Sequence, residues 1–229
     1  MSDRRPKPPP IAPALAMEAW KKLLRALAGL ALVLGACGGK LPETRFYQLA
    51  APSKPAPQPP GDLVIALESF DTDAGYDDDR IVYRTTPYRM DYYQYHRWSA
   101  APGTLVGNFL EQALERSGHF KTVTREASDR AAAVVRGRVL AIEEVDTSKT
   151  KWIGRLVLEL TVIDPQTSAV LWTQQFEETE PLRVQSPEGL AEALSKAMVR
   201  IADRATPIIA DHARARRDQQ QADVATRQR

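Results

Sequence analysis

Trp152-Ile153-Gly154-Arg155-Leu156-Val157-Leu158-Glu159-Leu160-Thr161-Val162, followed shortly by Asp164-Pro165-Gln166-Thr167, carries the periodicity that decides the fold class. Trp152, Gly154, Leu156, Leu158, Leu160 and Val162 stand at every second position, with Arg155, Glu159 and Thr161 between them. A period of two puts the two sets on opposite faces of an extended chain, as a half-buried strand requires. Asp164-Pro165-Gln166-Thr167 has turn chemistry, because Asp can bond downstream amides and Pro presets φ. The chain is therefore predicted to return as a second strand over Ala169 to Glu178, closing a β-hairpin.

On the N-terminal side of this hairpin, Ala133 to Glu144 reads as a longer strand and Phe120 to Val123 as a short one. Before them Leu105, Val106, Phe109, Leu110, Ala113 and Leu114 recur at helical spacing; Ser99 or Pro102 opens that helix and Gly118 lies just past its end. Ile81 to Arg84 and Tyr88 to Tyr93, joined across Thr85-Thr86-Pro87, form another hairpin, and Leu63 to Phe70 a strand. On the C-terminal side, Ser186-Pro187-Glu188 supplies a cap, a first helical residue and an acidic first turn. The stripe Leu190, Leu194, Ala197, Met198 and Ile201 follows. The order predicts an α+β fold over residues 62–206, a mainly antiparallel or mixed β-sheet with two helices packed on it. Past Thr206-Pro207 the chain turns polar, and residues 207–229 are expected to form a flexible tail. Arg45 to Leu49 has the pattern of a short strand. Ala51 to Gly61, with Pro52, Pro55, Pro57, Pro59 and Pro60, has that of an extended spacer reaching on the order of 34 Å at about 3.1 Å per residue.

Location comes from the leader. Lys21, Lys22 and Arg25 precede the uncharged apolar run Ala26 to Leu34, and Gly35, Ala36 and Cys37 close it. This is the layout of a secretory signal peptide, and the run is about half of the ~20 apolar residues a spanning helix needs. Leu34-Gly35-Ala36-Cys37 resembles a bacterial lipobox, which predicts cleavage between Ala36 and Cys37 and diacylglycerol plus an N-acyl chain, such as palmitate, on Cys37. Three chains at ~0.8 kcal/mol per buried methylene exceed the threshold for stable anchoring. Residues 1–36 are thus expected to be removed, with Met17 as the start that gives a leader of ordinary length, and residues 37–61 to form a lipidated tether. The full chain of 229 residues carries 31 Lys+Arg against 29 Asp+Glu, a net charge of +2; cleavage leaves 25 against 27, about −2. A slightly acidic exported chain gives no support to nucleic-acid binding.

Few residues suggest reaction chemistry. His96, His119 and His212 are far apart and show no metal-ligand spacing, and there is no G-x-S-x-G, Walker or G-x-G-x-x-G motif. Lipidation consumes the single cysteine. Asp71, Asp73 and Asp77 superficially resemble a calcium loop, but Gly75 and Val82 occupy positions where an EF-hand needs another residue and a Glu. The chain is read as a non-enzyme with no cofactor and no metal beyond its covalent lipid. Tyr83, Tyr88, Tyr92, Tyr93 and Tyr95 are five of the seven tyrosines, interleaved with Arg84, Arg89, Arg97 and Trp98. Tyr, Trp and Arg dominate interface hot spots, so Tyr88, Tyr92, Tyr93, Tyr95 and Trp98 are the candidate partner-binding set; packing within the domain is the competing reading.

The lipobox, Phe46-Tyr47-Gln48-Leu49, Arg80-Ile81-Val82-Tyr83-Arg84, Tyr92-Tyr93-Gln94-Tyr95-His96-Arg97-Trp98, Pro102, Leu114-Glu115-Arg116-Ser117-Gly118-His119-Phe120 and Val170-Leu171-Trp172 together resemble ABC-type transport auxiliary lipoproteins of the PqiC (paraquat-inducible protein C) type, over roughly Cys37 to Ile201. The resemblance implies a periplasmic α+β domain tethered to the outer membrane of a Gram-negative cell, Gly38 not being the Asp of inner-membrane retention. It implies as partners an ABC permease and ATPase and a mammalian-cell-entry (MCE) substrate-binding protein that together move lipids; homo-oligomers fit the same picture. The rival reading is a carrier lipoprotein holding an acyl chain in an apolar cavity of several hundred Å³.

Overall fold

The structure, a computed structural model, describes residues 42–50, 61–126 and 130–227; the signal peptide, Cys37 and the proline spacer lie outside them. Among the described residues, nine strands and two helices follow in the order β1 (Arg45–Tyr47), β2 (Leu63–Leu67), β3 (Asp71–Thr72), β4 (Arg80–Thr86), β5 (Arg89–Trp98), α1 (Pro102–Arg116), β6 (Phe120–Thr124), β7 (Ala133–Ser148), β8 (Lys151–Ile163), β9 (Val170–Pro181) and α2 (Pro187–Arg227). The α+β class with two helices on one sheet is as expected, and the sheet is mixed and unclosed.

Its spine is β7. One edge pairs along its length with β8, which pairs with β9, both antiparallel. The other edge takes β2, β3 and β4 in succession, all parallel. Beyond them lie β6 on β2 and the pair β5–β1 on β4. Between Val139 and Ala141 the β7–β8 register shifts by one residue. Such a bulge changes which parity faces inward. Gly137 and Val139 precede it and Ile142 and Glu144 follow it, yet opposite them stand Leu160, Leu158, Leu156 and Gly154, a continuous alternate set on β8. All four therefore face the helices, whereas Glu143 points to the opposite face.

The core fills the space between helices and sheet. Val106, Leu110 and Leu114 of α1 and Leu190, Leu194, Met198 and Ile201 of α2 are fully buried, against Ile65, Leu67, Val139, Leu156, Leu158 and Leu160. At roughly 1.5–3 kcal/mol per buried aliphatic side chain this contact is the main source of stability. Phe70 is the wedge at its centre: a Cβ on Gly137 would collide with its ring, and one on Gly103 with its carbonyl. At the exit of α1, Gly118 adopts φ 77°, the left-handed conformation that a side chain disfavours.

Two boundaries differ from expectation. Residues 44–50 belong to the same compact unit as the rest: β1 pairs with β5, and the Ala50 amide donates to Ser195 Oγ (3.0 Å). The expected flexible tail from Pro207 is instead a continuation of α2. Thr206 Oγ1 caps the Ala202 carbonyl (2.7 Å), and Ile209, Ala210 and Ala213 are fully buried beyond the proline. Arg200 donates to Glu178 (2.6 Å) and Glu180 (2.9 Å), Arg204 pairs with Glu178 (2.7 Å), and His212 stacks on Trp172. Lys196 to His212 rises about 24 Å at 1.5 Å per residue, and Glu180 to Trp172 spans about 26 Å as strand, so helix and strand stay in step. Arg216 then donates to the Asp164 carboxylate (2.5 and 3.2 Å) in the β8–β9 turn, and Arg217 pairs with Asp62.

Candidate functional site

The predicted partner face maps onto the β4–β5 hairpin, and the structure divides its residues. Tyr88 sits at the tip, 97% exposed, beside the exposed Arg89, which pairs with Asp91 (2.7 Å). Tyr92 is exposed on the flank; its hydroxyl donates to the Gly75 carbonyl (3.1 Å) and the Arg80 guanidinium lies 4.3 Å over its ring. Tyr93 and Tyr95 are half-buried. Tyr93 turns inward and donates to Glu144 Oε1 (2.8 Å). Trp98 is a correction: at 1% exposure it is core, not surface. Its amide bonds the Asp79 carbonyl (2.6 Å), which fixes the strand end over α1. The hairpin thus offers Tyr88 and Tyr92 outward, and sends Tyr93 and Trp98 inward as its roots.

Behind the hairpin stand two acidic residues of β7 that sequence reasoning passed over. Glu143, 1% exposed, accepts from Tyr76 (2.6 Å), Arg84 (2.5 Å) and Arg155 (2.9 Å), so three separate segments converge on one carboxylate. Burial and the adjacent Glu143 push the Tyr76 phenol up to about 12, and the bonds to Tyr76 and Glu143 keep Arg84 firmly protonated. Arg84 also reaches Tyr76 (3.1 Å) and the Pro87 carbonyl at the hairpin tip (3.4 Å). A cleft of about 540 Å³ opens here, lined by Arg84, Thr86, Pro87, Glu143, Thr147 and Arg155. On the opposite face Glu144 is buried with Tyr93 as its donor. Burial, with the nearby Asp146, pushes Glu144 up to about 7, and burial together with the Glu144 charge raises Tyr93.

Several other singled-out residues have structural partners. Of the acidic loop, Asp73 meets Arg138 (3.3 Å), Asp78 chelates Arg80 (2.8 Å) and Asp79 pairs with Arg97. His96 shares a hydrogen bond with the Tyr47 hydroxyl (2.8 Å), tying β5 to β1. Ala36 and Cys37 lie outside the described residues. Among the described residues no helix is long and apolar enough to cross a membrane.

Comparison with known proteins places this geometry. No curated protein sequence matches the chain. Among solved structures, protein XCC0632 from Xanthomonas campestris, of the DUF330 family, superposes with a TM-score of 0.63 at 16% identity, covering 77% of this chain and 99% of that one. An uncharacterized protein superposes at 0.58 and 10% identity over 73% of this chain and 99% of its own. At these identities the likeness is one of fold. The family model for the ABC-type transport auxiliary lipoprotein component matches residues 47–205, well over half of the chain, and runs from the last residue of β1 through β2 to β9 and α1 to the first half of α2. The chain belongs to the ABC-type transport auxiliary lipoprotein family.

Proposed function

We propose that this chain is an outer-membrane-anchored periplasmic component of an ABC/MCE-type lipid transport system, acting by docking rather than by catalysis. The observation that carries the reading is the family match over residues 47–205, which spans the hairpin with its exposed Tyr88 tip. Lipid on Cys37 holds one end at the membrane, and the proline-rich residues 51–60 give the domain its reach. The β4–β5 hairpin is the arm that meets an MCE-domain protein, itself joined to the permease and ATPase. Rigidity of the arm comes from Glu143, which binds β4, β8 and the β3–β4 loop together at one point. Docking is favoured over acyl-chain carriage by the packing: the helix–sheet interface is filled by Leu110, Leu114, Leu156, Leu158, Leu190 and Leu194. The cleft behind the hairpin is bordered by two arginines and Glu143.

The test is co-purification of the full-length lipoprotein from its own envelope in mild detergent, with the MCE-domain protein quantified by mass spectrometry. Wild type is expected to retain that partner, and Tyr88→Ala combined with Arg89→Glu to lose most of it while keeping the same unfolding midpoint. Equal recovery with wild type and the double variant would overturn docking through the hairpin; bound lipid in place of any protein partner would favour the carrier.

A further inference from the structure

We propose that Glu144 and Asp146 hold one shared proton at neutral pH, and that this proton locks the β4–β5 hairpin onto the centre of the sheet. The inference stands whether or not the hairpin docks a partner. Glu144 is 0% exposed. Its Oε1 accepts from Tyr93, but its Oε2 is buried with no donor, and the same is true of Asp146 Oδ1. These are the two buried side-chain polar atoms without a partner among the described residues. Two positions apart on a strand, the carboxyls share a face, and they lie within hydrogen-bonding reach of each other. Two acceptors with no hydrogen between them are an incomplete pair. A single proton completes it, with Glu144 Oε2–H donating to Asp146 Oδ1.

Among the described residues no Lys or Arg bonds either carboxyl; Arg84 and Arg155, which line the cleft that Asp146 also borders, are both taken by Glu143. From β5 the pair is met by Tyr93, with His96 edge-on behind it and bonded in turn to Tyr47 of β1. From β4 comes Tyr83, paired in register with Glu144 and 5.0 Å from the Tyr93 ring. From β8 come Gly154, opposite Glu144, and Trp152, opposite Asp146. From α2, Leu190, Ala193 and Leu194 cover Gly154, while Glu192 and Lys196 bind each other (3.1 Å). The contrast with Glu143 is direct: one residue earlier, on the other face, a buried carboxylate has two arginines. Two ionised carboxylates in such a place repel each other and lose their water, so one stays protonated. A calcium or magnesium ion needs about six or more oxygens, and two carboxyls with one phenol fall short.

The sign of the pH effect follows. Burial raises Glu144 to about 7 from an unfolded value of 4.5, and raises Asp146 as well. The stability this proton confers is fully present below the unfolded value and is lost as pH rises through about 7. Above that, a second negative charge lies beneath Tyr93 and α2, and β5 loosens.

Infrared difference spectroscopy of the full-length protein in detergent micelles, together with amide hydrogen exchange of β5, tests this. At about pH 6 wild type is expected to show a protonated-carboxyl C=O band that is gone by about pH 8.5. Over that range the opening of β5, corrected for intrinsic exchange, should rise roughly tenfold, since about one pH unit separates the starting pH from the titration midpoint, above which the loss levels off. Glu144→Gln should lack the band and keep β5 closed at both pH values, because its amide donates the same bond permanently. Asp146→Asn should lower the pH at which Glu144 titrates. The proposal is overturned by an ionised Glu144 in wild type at pH 6, by a band that survives Glu144→Gln, or by stoichiometric calcium or magnesium binding that Glu144→Gln abolishes. Should Glu144→Gln fail to fold, the wild-type band and the Asp146→Asn shift decide.

Discussion

Ile209→Ala separates a packed helix from a free tail. Ile209 lies two residues past Pro207 and is fully buried with Ala205, Ala210 and Ala213. The substitution removes three side-chain carbons, about 2.5 kcal/mol at ~0.8 kcal/mol each, and leaves a cavity whose walls α2 and β8–β9 cannot readily close. The total is about 3–4 kcal/mol, within the range for buried Ile to Ala and a large part of an ordinary domain's stability. In urea, with a slope of about 2 kcal/mol per molar, the midpoint should fall by roughly 1.5–2 M with no change in slope. Circular dichroism and Trp fluorescence should report the same midpoint. A residue in a flexible tail would shift stability by no more than ~0.5 kcal/mol. A midpoint within about 0.3 M of wild type would refute the docked helix.

Other perturbations reach different parts of the structure. Glu143→Ala strips two arginines and Tyr76 of their shared acceptor and should cost about 3–5 kcal/mol in the same unfolding assay, with Glu143→Gln costing less. Gly137→Ala drives a methyl into the Phe70 ring and should cost about 1–3 kcal/mol; a neutral result would mean the wedge can move freely. In the β8–β9 turn, Asp164 is disfavoured by burial, but Arg216 and the turn amides outweigh this and hold it at about 2. The stability it lends is present above its unfolded value of 3.8 and is lost as pH falls toward 2, a loss that Asp164→Asn should remove from an acid titration. Ser168 in the same turn has φ 60°, so Ser168→Gly should stabilise by roughly 0.5–1 kcal/mol, measured as a higher Tm. Cys37→Ser should leave an unprocessed precursor missing from outer-membrane fractions on immunoblotting; normal maturation would contradict the lipobox.

Local periodicity made both hairpins and the first helix legible. Leu156, Leu158 and Leu160 alternate cleanly, and Leu105 to Leu114 form one stripe, because in each case a single element decides which side is buried. What escaped depends on contacts between distant elements. The bulge at Val139–Ala141 leaves no mark in the sequence, yet it decides that Glu144 and not Glu143 faces the helices. The stripe on either side of Pro207 is built largely of alanines, Ala205, Ala210 and Ala213, whose weak hydropathy hid it; their burial depends on β9 and the β8–β9 turn running alongside. Arg216 looked like one of many tail charges, and only the turn at Asp164 gives it a partner. Of the aromatic set, alternation alone could not separate Tyr88 from Trp98, since the strand end that buries Trp98 is defined by Asp79 and β1.

The central claim, that the exposed hairpin tip meets a protein of the transport machinery, is tested most directly by a photoreactive residue at Tyr88 of the intact lipoprotein in living cells. Captured partners would be identified by mass spectrometry, with the same probe at Gln219 on the far end of α2 as the comparison. The account predicts an MCE-domain protein crosslinked from position 88 and not from 219. Equal labelling of abundant envelope proteins from both positions, or capture of lipid alone at 88, would contradict it.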